Sequence, residues 1–256
     1  MLQHMAAGET SGETDFGFRR VALEEKAGLV RRVFDSVSSR YDLMNDLMSG
    51  GVHRLWKAEL IDRLNPRPGQ VLLDVAGGTG DIALRFLARA GEGGLALVCD
   101  INESMLRHGR DRAIDQGRLA AMQWLVGDAE RLPVESASVD ACTIAFGLRN
   151  VSRIDQALAE MRRVLRPGGR FLCLEFSRVE APLLARAYDA YSFTVLPQLG
   201  GWIAGDRAAY QYLVESIRRF PPQAELARRM EAAGFEQVSY RNFTGGIAAL
   251  HSGWRL

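Results

Sequence analysis

The residues able to do chemistry in this chain gather first around one short stretch, Val71-Leu72-Leu73-Asp74-Val75-Ala76-Gly77-Gly78-Thr79-Gly80-Asp81. Apolar residues around Asp74 read as a short parallel strand buried on both faces. Gly77, Gly78 and Gly80, with Thr79 among them, make a turn where a side chain would block close approach of the backbone to a ligand. The pattern from Ile82 to Leu87 begins a helix whose leading N–H groups would face that ligand. Strand, glycine turn and helix start together form a nucleotide-type cradle; an ordinary tight turn is the plainer alternative. Gly78-x-Gly80-x-x-Ala83 fits the dinucleotide fingerprint, and Asp100 follows at about the expected ~20 residues. Asp100 ends an apparent strand, Leu95 to Asp100, where it could accept both hydroxyls of a ribose or simply cap the next helix. A second acidic turn, Gly127-Asp128-Ala129-Glu130, follows a third apparent strand, Met122 to Val126.

The elements needed to hold these groups are legible as a succession of strands and helices. Val139 to Phe146 reads as a fourth strand, and Gly147-Leu148-Arg149-Asn150-Val151 as its exit loop, which would line the ligand crevice. Leu158, Met161 and Leu165 mark a helix, Arg166 to Gly169 a turn, and Phe171 to Ser177 a fifth strand. Ahead of the cradle, Leu23, Ala27, Val30, Phe34, Val37 and Tyr41 recur at steps of four and three, one face of an amphipathic helix. A second helix through Leu64 ends at Asn65-Pro66-Arg67-Pro68-Gly69, and both helices are expected to lie across the mouth of the cradle. Leu184, Tyr188, Tyr191 and Val195 repeat the helical step and suggest a lid, an apolar channel wall or plain core packing. Pro221-Pro222 opens a last helix to Ala233, and Phe235–Phe243 and Ile247–His251 form a closing hairpin through Thr244-Gly245-Gly246.

Composition narrows the function class. The 256 residues are 47% hydrophobic, enough for one large core, and a net charge of +1 excludes a broad nucleic-acid footprint. Of 32 basic residues only Lys26 and Lys57 are lysines. Cys99, Cys142 and Cys173 have neither metal nor disulfide spacing, and read as reduced thiols of a cytoplasmic protein. His4, His53, His108 and His251 are scattered, so no metal site is expected. Residues 1–18 read as a flexible tail and 19–256 as a single domain. No apolar run reaches the ~20 residues of a membrane span, which points to a soluble protein and leaves open contact with a membrane surface.

Dense Gly-Gly-Thr-Gly after Asp74, with the ordered acidic strand ends, resembles the class I methyltransferases. More specifically, Y-D-x-M-N from Tyr41, then Ser49, His53 and Trp56, resembles the signature of the ubiquinone/menaquinone biosynthesis C-methyltransferase family. R-V-L-R-P-G-G-R-F-L-C-L-E-F-S resembles that family's second signature. The resemblance covers about residues 20 to 256. It implies an α/β Rossmann-like fold with a seven-stranded, mostly parallel sheet, a C-terminal antiparallel hairpin, N-terminal helices and a lid. It implies S-adenosyl-L-methionine as cofactor, held by Asp74, Gly77, Gly78, Thr79, Gly80, Asp100, Asp128 and Ala129. The implied substrate is a prenylated benzoquinol, demethylmenaquinol, or both. Tyr41, His53, Arg149 and Asn150 become the candidates to take a ring-hydroxyl proton or stabilise the phenolate. Self-association, a quinone-biosynthetic complex and contact with the inner membrane are further possibilities. The chain departs from the family at Ala145, where serine is usual. An NAD-dependent oxidoreductase and a non-catalytic assembly subunit are the rival readings, though no Tyr-x-x-x-Lys pair serves the first.

Overall fold

The computed structural model describes residues 12–37, 41–180, 182–196, 198, 201 and 206–256. Its centre is a seven-stranded sheet formed by β3 (Val71–Val75), β4 (Leu95–Asp100), β5 (Met122–Val126), β6 (Val139–Ala145), β7 (Leu165–Phe176), β8 (Glu236–Phe243) and β9 (Ala248–Arg255). The order across the sheet is β5-β4-β3-β6-β7-β9-β8, and β9 runs antiparallel to both its neighbours. β9 therefore inserts between β7 and β8, and its residues 248–253 are all buried.

From β3 the chain winds to one side through α4 (Asp81–Ala90) and α5 (Glu103–Asp115), and to the other through α6 (Ile154–Val164). The direction reverses between β3 and β6, so the loops leaving those two strands diverge and open a crevice. Successive residues on β3 serve opposite faces. Leu72 packs with Phe86, Val98 and Leu174, while Leu73 and Val75 pack with Ile144, Leu158 and Met230. Continuous apolar runs are the expected consequence of a sheet covered on both sides.

Several expectations are corrected. The flexible tail was expected to reach residue 18, yet β1 (Glu13–Phe16) pairs with β2 (Arg19–Ala22). Phe16 anchors this hairpin by stacking on Tyr212 at 4.2 Å, and the Phe18 amide donates to Glu215 Oε2 at 2.9 Å. Residues 1–11 lie outside the described residues. The long N-terminal helical face belongs to two helices, α1 (Leu23–Val37) and α2 (Tyr41–Ser49), followed by α3 (His53–Leu64). The Arg166–Gly169 turn is a bulge within β7: Leu165 lies opposite Val139 and Arg170 opposite Ala141, so on the β6 side four residues stand against one, while Gly169 still pairs with Arg255 of β9.

After β7, α7 (Pro182–Ala190) runs into a π-helical turn, Tyr191–Val195. Tyr188 and Tyr191 donate from their hydroxyls to the carbonyls of Met48 and Leu47, which docks this segment onto α2. Among the described residues no helix is long and apolar enough to cross a membrane.

Candidate active site

A cavity of about 330 Å³ opens at the carboxyl ends of β3, β4, β5 and β6. Ala76, Gly78, Asp100, Asp128, Ala129 and Asn150 contribute to its walls, and Leu23, Val30 and Phe34 of α1 roof it. Three contacts hold α1 and the surrounding loops together. Asn102 donates from Nδ2 to Asp35 Oδ1 at 2.9 Å, and Lys26 donates from Nζ to the Val151 carbonyl at 3.0 Å. Glu130 Oε1 accepts from the amides of Ser152 and Arg153, which ties the β5 exit loop to the β6 exit loop.

The glycine turn supplies space and uses its own amides within the fold. The amides of Gly77, Gly78 and Gly80 donate to Cys99 O, Asp100 Oδ2 and Gly77 O. Those donors are consumed inside the fold, so the glycines supply room. A Cβ on Gly77 would sit 2.7 Å from Val98 Cγ1 and 2.8 Å from Asp74 Oδ2. Ala76 and Phe146 both adopt left-handed backbone (φ 48° and 58°) just past the ends of β3 and β6. Such bends cost of order 1–3 kcal/mol and cluster at ligand sites. Here they bring the two exit loops together, since a Cβ on Gly147 would lie 2.5 Å from Ala76 Cβ.

Asp100 is fixed at the cavity wall, its two oxygens accepting from the Gly78 and Asn102 amides at 2.8 Å each. Burial pushes its carboxyl up to about 6 despite those bonds. Asp74 lies below the turn and is 1% exposed. Its Oδ1 accepts from the Thr143 hydroxyl at 2.8 Å, while Oδ2 is buried with no protein partner. Burial dominates its shift, raising it to about 7. Asp128 Oδ1 accepts from the Glu130 amide, which shapes the turn that brings Ala129 to the cavity. Thr79 is half-buried, and its backbone packs so close to Gly109 of α5 that a Cβ there would lie 2.8 Å from the Thr79 carbonyl carbon. Gly80, at the start of α4, packs against Trp124.

The four acid–base candidates separate. Asn150 lines the cavity and accepts from the Tyr212 hydroxyl at 3.0 Å through Oδ1. Arg149, expected to face the crevice, turns away from it. Its Nη1 donates to Glu175 Oε1 and to the Phe146 carbonyl, both at 2.6 Å, and both side chains of the pair are 1% exposed. The cause is the Glu175 carboxylate inside β7, whose charge can be tolerated in the core only with a partner. His53 begins α3 with Nε2 2.9 Å from Asp46 Oδ1 and lies outside the cavity wall, 2% exposed. Burial, then the Lys57 charge, lowers its pKa and keeps the ring neutral at pH 7. Tyr41 starts α2, and the expectation for its side chain lies outside the described residues.

Two groups at the site were not singled out from the sequence. Asp81, the first residue of α4, pairs with Lys57 Nζ at 2.9 Å and Arg85 Nε at 3.1 Å. Burial opposes its charge, but these cations outweigh burial and hold it down at about 2. The scarcity of lysine was the available signal for Lys57. Asp74 and Asp100 flank the glycine turn where a dinucleotide fold receives a pyrophosphate, and carboxylate charge there disfavours such a ligand, whereas Asp81 has its own counter-ions. A cationic ligand with ribose hydroxyls suits the same charges.

Comparison with known proteins agrees with that electrostatic reading. The family described as "ubiE/COQ5 methyltransferase family" matches residues 20–255. The chain is 58% identical over 249 residues to the ubiquinone/menaquinone biosynthesis C-methyltransferase UbiE of Acidiphilium cryptum (strain JF-5), covering 97% of this chain and 99% of that protein. It is 59% identical over 244 residues to the protein of the same name from Paracoccus denitrificans (strain Pd 1222), covering 95% and 97%. Among solved structures, a SAM dependent methyltransferase from Aquifex aeolicus superposes with a TM-score of 0.59 at 17% identity, covering 78% of this chain and 89% of that one. The [4+2]-cyclase SpnF reaches 0.63 at 18% identity, covering 90% and 96%. A cyclase on the same scaffold is a reminder that the fold alone does not fix the reaction. Similarity over nearly the full length of both chains does what the fold cannot, and this chain belongs to the ubiE/COQ5 methyltransferase family.

Proposed function

We propose that this protein methylates a ring carbon of a prenylated benzoquinol, of demethylmenaquinol, or of both, using S-adenosyl-L-methionine, in ubiquinone and menaquinone biosynthesis. The observation that carries the reading is the buried, unpartnered Asp74 Oδ2 beneath a glycine that admits no Cβ, beside Asp100 at the cavity wall. An orphaned carboxylate oxygen suits an ammonium group, and Asp100 suits a ribose diol. Asp128, Ala129 and the α1 residues Val30 and Phe34 would enclose the adenine. When bound, the cofactor supplies an electrophilic methyl on a sulfonium, so the protein's task is position and charge.

On the substrate side, a phenol with pKa near ~10 costs about 4 kcal/mol to ionise at pH 7. Asn150 is built to lower that cost. Tyr212 donates to its Oδ1, and burial raises the Tyr212 pKa so that this hydroxyl keeps its proton. The amide Nδ2 of Asn150 is thereby oriented as a donor toward a developing phenolate in the cavity. Arg149 braces the loop by its bonds to Glu175 and Phe146, and so positions Asn150 beside it. For His53 the Asp46 contact occupies Nε2 and leaves Nδ1 buried without a partner, an acceptor for a proton from the α2–α3 side. Work at a membrane surface also belongs to this reading, because a prenylated quinol partitions into lipid. Exposed Phe18 and Phe193 stack at 6.2 Å with Arg219 and Arg218 over their rings, an arrangement suited to headgroups.

The deciding experiment is methyl transfer from labelled cofactor to reduced demethylated benzoquinol and naphthoquinol, run side by side. Label should enter at least one ring. Protein that binds S-adenosylhomocysteine and labels neither would overturn the assignment.

A further inference from the structure

The structure buries both of the chain's two lysines: Lys26 is 5% exposed and Lys57 is 3%. Lys26 has a clear use as a tie between α1 and the Val151 carbonyl. Lys57 needs a different account. It reaches from α3 into the strand-end cluster, 2.9 Å from Asp81 Oδ2 and 5.9 Å from the centre of the Phe146 ring, which itself lines the cavity. Arg85 and Arg112 approach Asp81 with side chains 33% and 39% exposed, so their charge is shared with solvent. Lys57 is the buried member of the cations around Asp81, and its charge also favours the ionised form of Asp74.

Asp74 is the group with most to gain from it. One oxygen is occupied by Thr143 and the other is buried without a donor. Leaving a charged oxygen unsolvated is costly, and the cost makes sense if a donor arrives with the ligand. Until then the charge must be supported by something that does not fill the vacant direction. We propose that Lys57 is a positioning residue for the amino-acid end of the cofactor: anchored by Asp81, it favours the charged form of Asp74 and leaves its Oδ2 available to the incoming ammonium. The inference rests on the cofactor reading above and assigns Lys57 a role exerted through Asp74.

The electrostatic balance around Asp74 has a definite sign. Burial raises its pKa most. Thr143 from β6 lowers it, Asp81 from α4 raises it, Lys57 from α3 lowers it and Asp100 from β4 raises it, with the outcome about 7. Cys142 beside it on β6 stays a neutral thiol because burial pushes its pKa well up. An acid raised in this way is charged above its midpoint, so attraction for an ammonium fades as pH falls through that value. Replacing Lys57 by Met moves the midpoint upward. A rise of about one unit cuts the ionised fraction at pH 7 by about fivefold.

The test uses the full chain with S-adenosylhomocysteine as probe. The Asp74 carboxyl is followed by carbon NMR in the ligand-free protein, assigned by its disappearance in Asp74→Asn. Calorimetric affinities are taken from about pH 5.5 to about pH 8, a range that brackets the midpoint. Lys57→Met should raise the midpoint and lower affinity at pH 7 about fivefold, with the loss narrowing as pH rises. Lys57→Arg should keep both near wild type, and Asp81→Asn should lower the midpoint because an anion that raises it has gone. If Lys57→Met does not melt cooperatively, Lys57→Gln, which also removes the charge, is measured in its place with the same expectations. An unmoved midpoint, or an affinity loss independent of pH, would overturn the proposal and leave Lys57 a packing residue. Wild-type protein that binds no S-adenosylhomocysteine at any pH would sink the cofactor reading as well, which distinguishes the two failures.

Discussion

Replacing Glu175 by leucine tests whether Arg149 braces the site or performs its chemistry. In the native structure both side chains of the pair are 1% exposed, and Glu175 also accepts from the amides of Arg149 at 3.3 Å and Phe176 at 2.8 Å. Glu175→Leu leaves the guanidinium in the core with the Phe146 carbonyl as its remaining acceptor. Breaking a buried pair from one side costs about 3–5 kcal/mol, and two stranded amides push the figure toward the upper end. At about 2–4 °C per kcal/mol for a chain of this size, the melting temperature should fall by about 10 °C or more. The double variant Arg149→Met/Glu175→Leu removes both charges and should recover much of that loss, because a buried pair replaced by apolar side chains is often near neutral.

Urea unfolding of the wild type, both single variants and the double variant measures the coupling. Single-turnover methyl transfer and S-adenosylhomocysteine affinity are measured on the same four proteins. A brace predicts that rate, affinity and stability fall in step for Arg149→Met. Glu175→Leu within about 1 kcal/mol of wild type would refute the burial argument. Arg149→Met with native stability and affinity but no methyl transfer would restore Arg149 to the chemical step.

Asp100→Ala should weaken cofactor binding by about 100-fold or more, since a carboxylate holding a diol makes two charge-assisted bonds of about 1.5–3 kcal/mol each; calorimetry on folded variant checks it, and unchanged affinity removes Asp100 from the site. Asp81, held down at about 2 in the fold, should contribute roughly 2 kcal/mol at pH 6, where both folded and unfolded forms are ionised. That contribution is lost as pH falls toward the folded value, so the stability gap between wild type and Asp81→Asn should shrink to about half by pH 3; a gap that widens in acid contradicts the pairing with Lys57. Methyl transfer should require reduced substrate, because an oxidised ring is electrophilic and has no hydroxyl proton to lose; equal turnover of quinone and quinol without reductant would contradict the mechanism.

The sequence alone determined the parallel half of the sheet and the acidic ends of its strands. Val71–Val75, Leu95–Asp100 and Met122–Val126 are legible to the residue: the first two are largely apolar because both their faces are covered, whereas Met122–Val126 lies at the sheet edge and exposes Gln123 and Val126. Asp128 followed from the family resemblance, and Asp100 from the rule that ligands meet the carboxyl ends of such strands. Asn150 was placed by the same logic and does line the cavity. Its neighbour Arg149 was not recoverable, because the direction of a long side chain depends on where its counter-charge lies. That counter-charge, Glu175, is 26 residues away, in a strand whose sequence gives no sign of a partner. Lys57 and Asp81 were hidden for the same reason: a lone lysine and the first residue of a helix each read as solvated charges. The partners of the glycine amides were not legible either, since Cys99 and Asp100 reach that turn only when β4 pairs beside β3. Local pattern fixes which residues are buried and where strands stop. Only the tertiary structure decides which buried charges meet, because electrostatic pairing is a property of space and not of sequence separation.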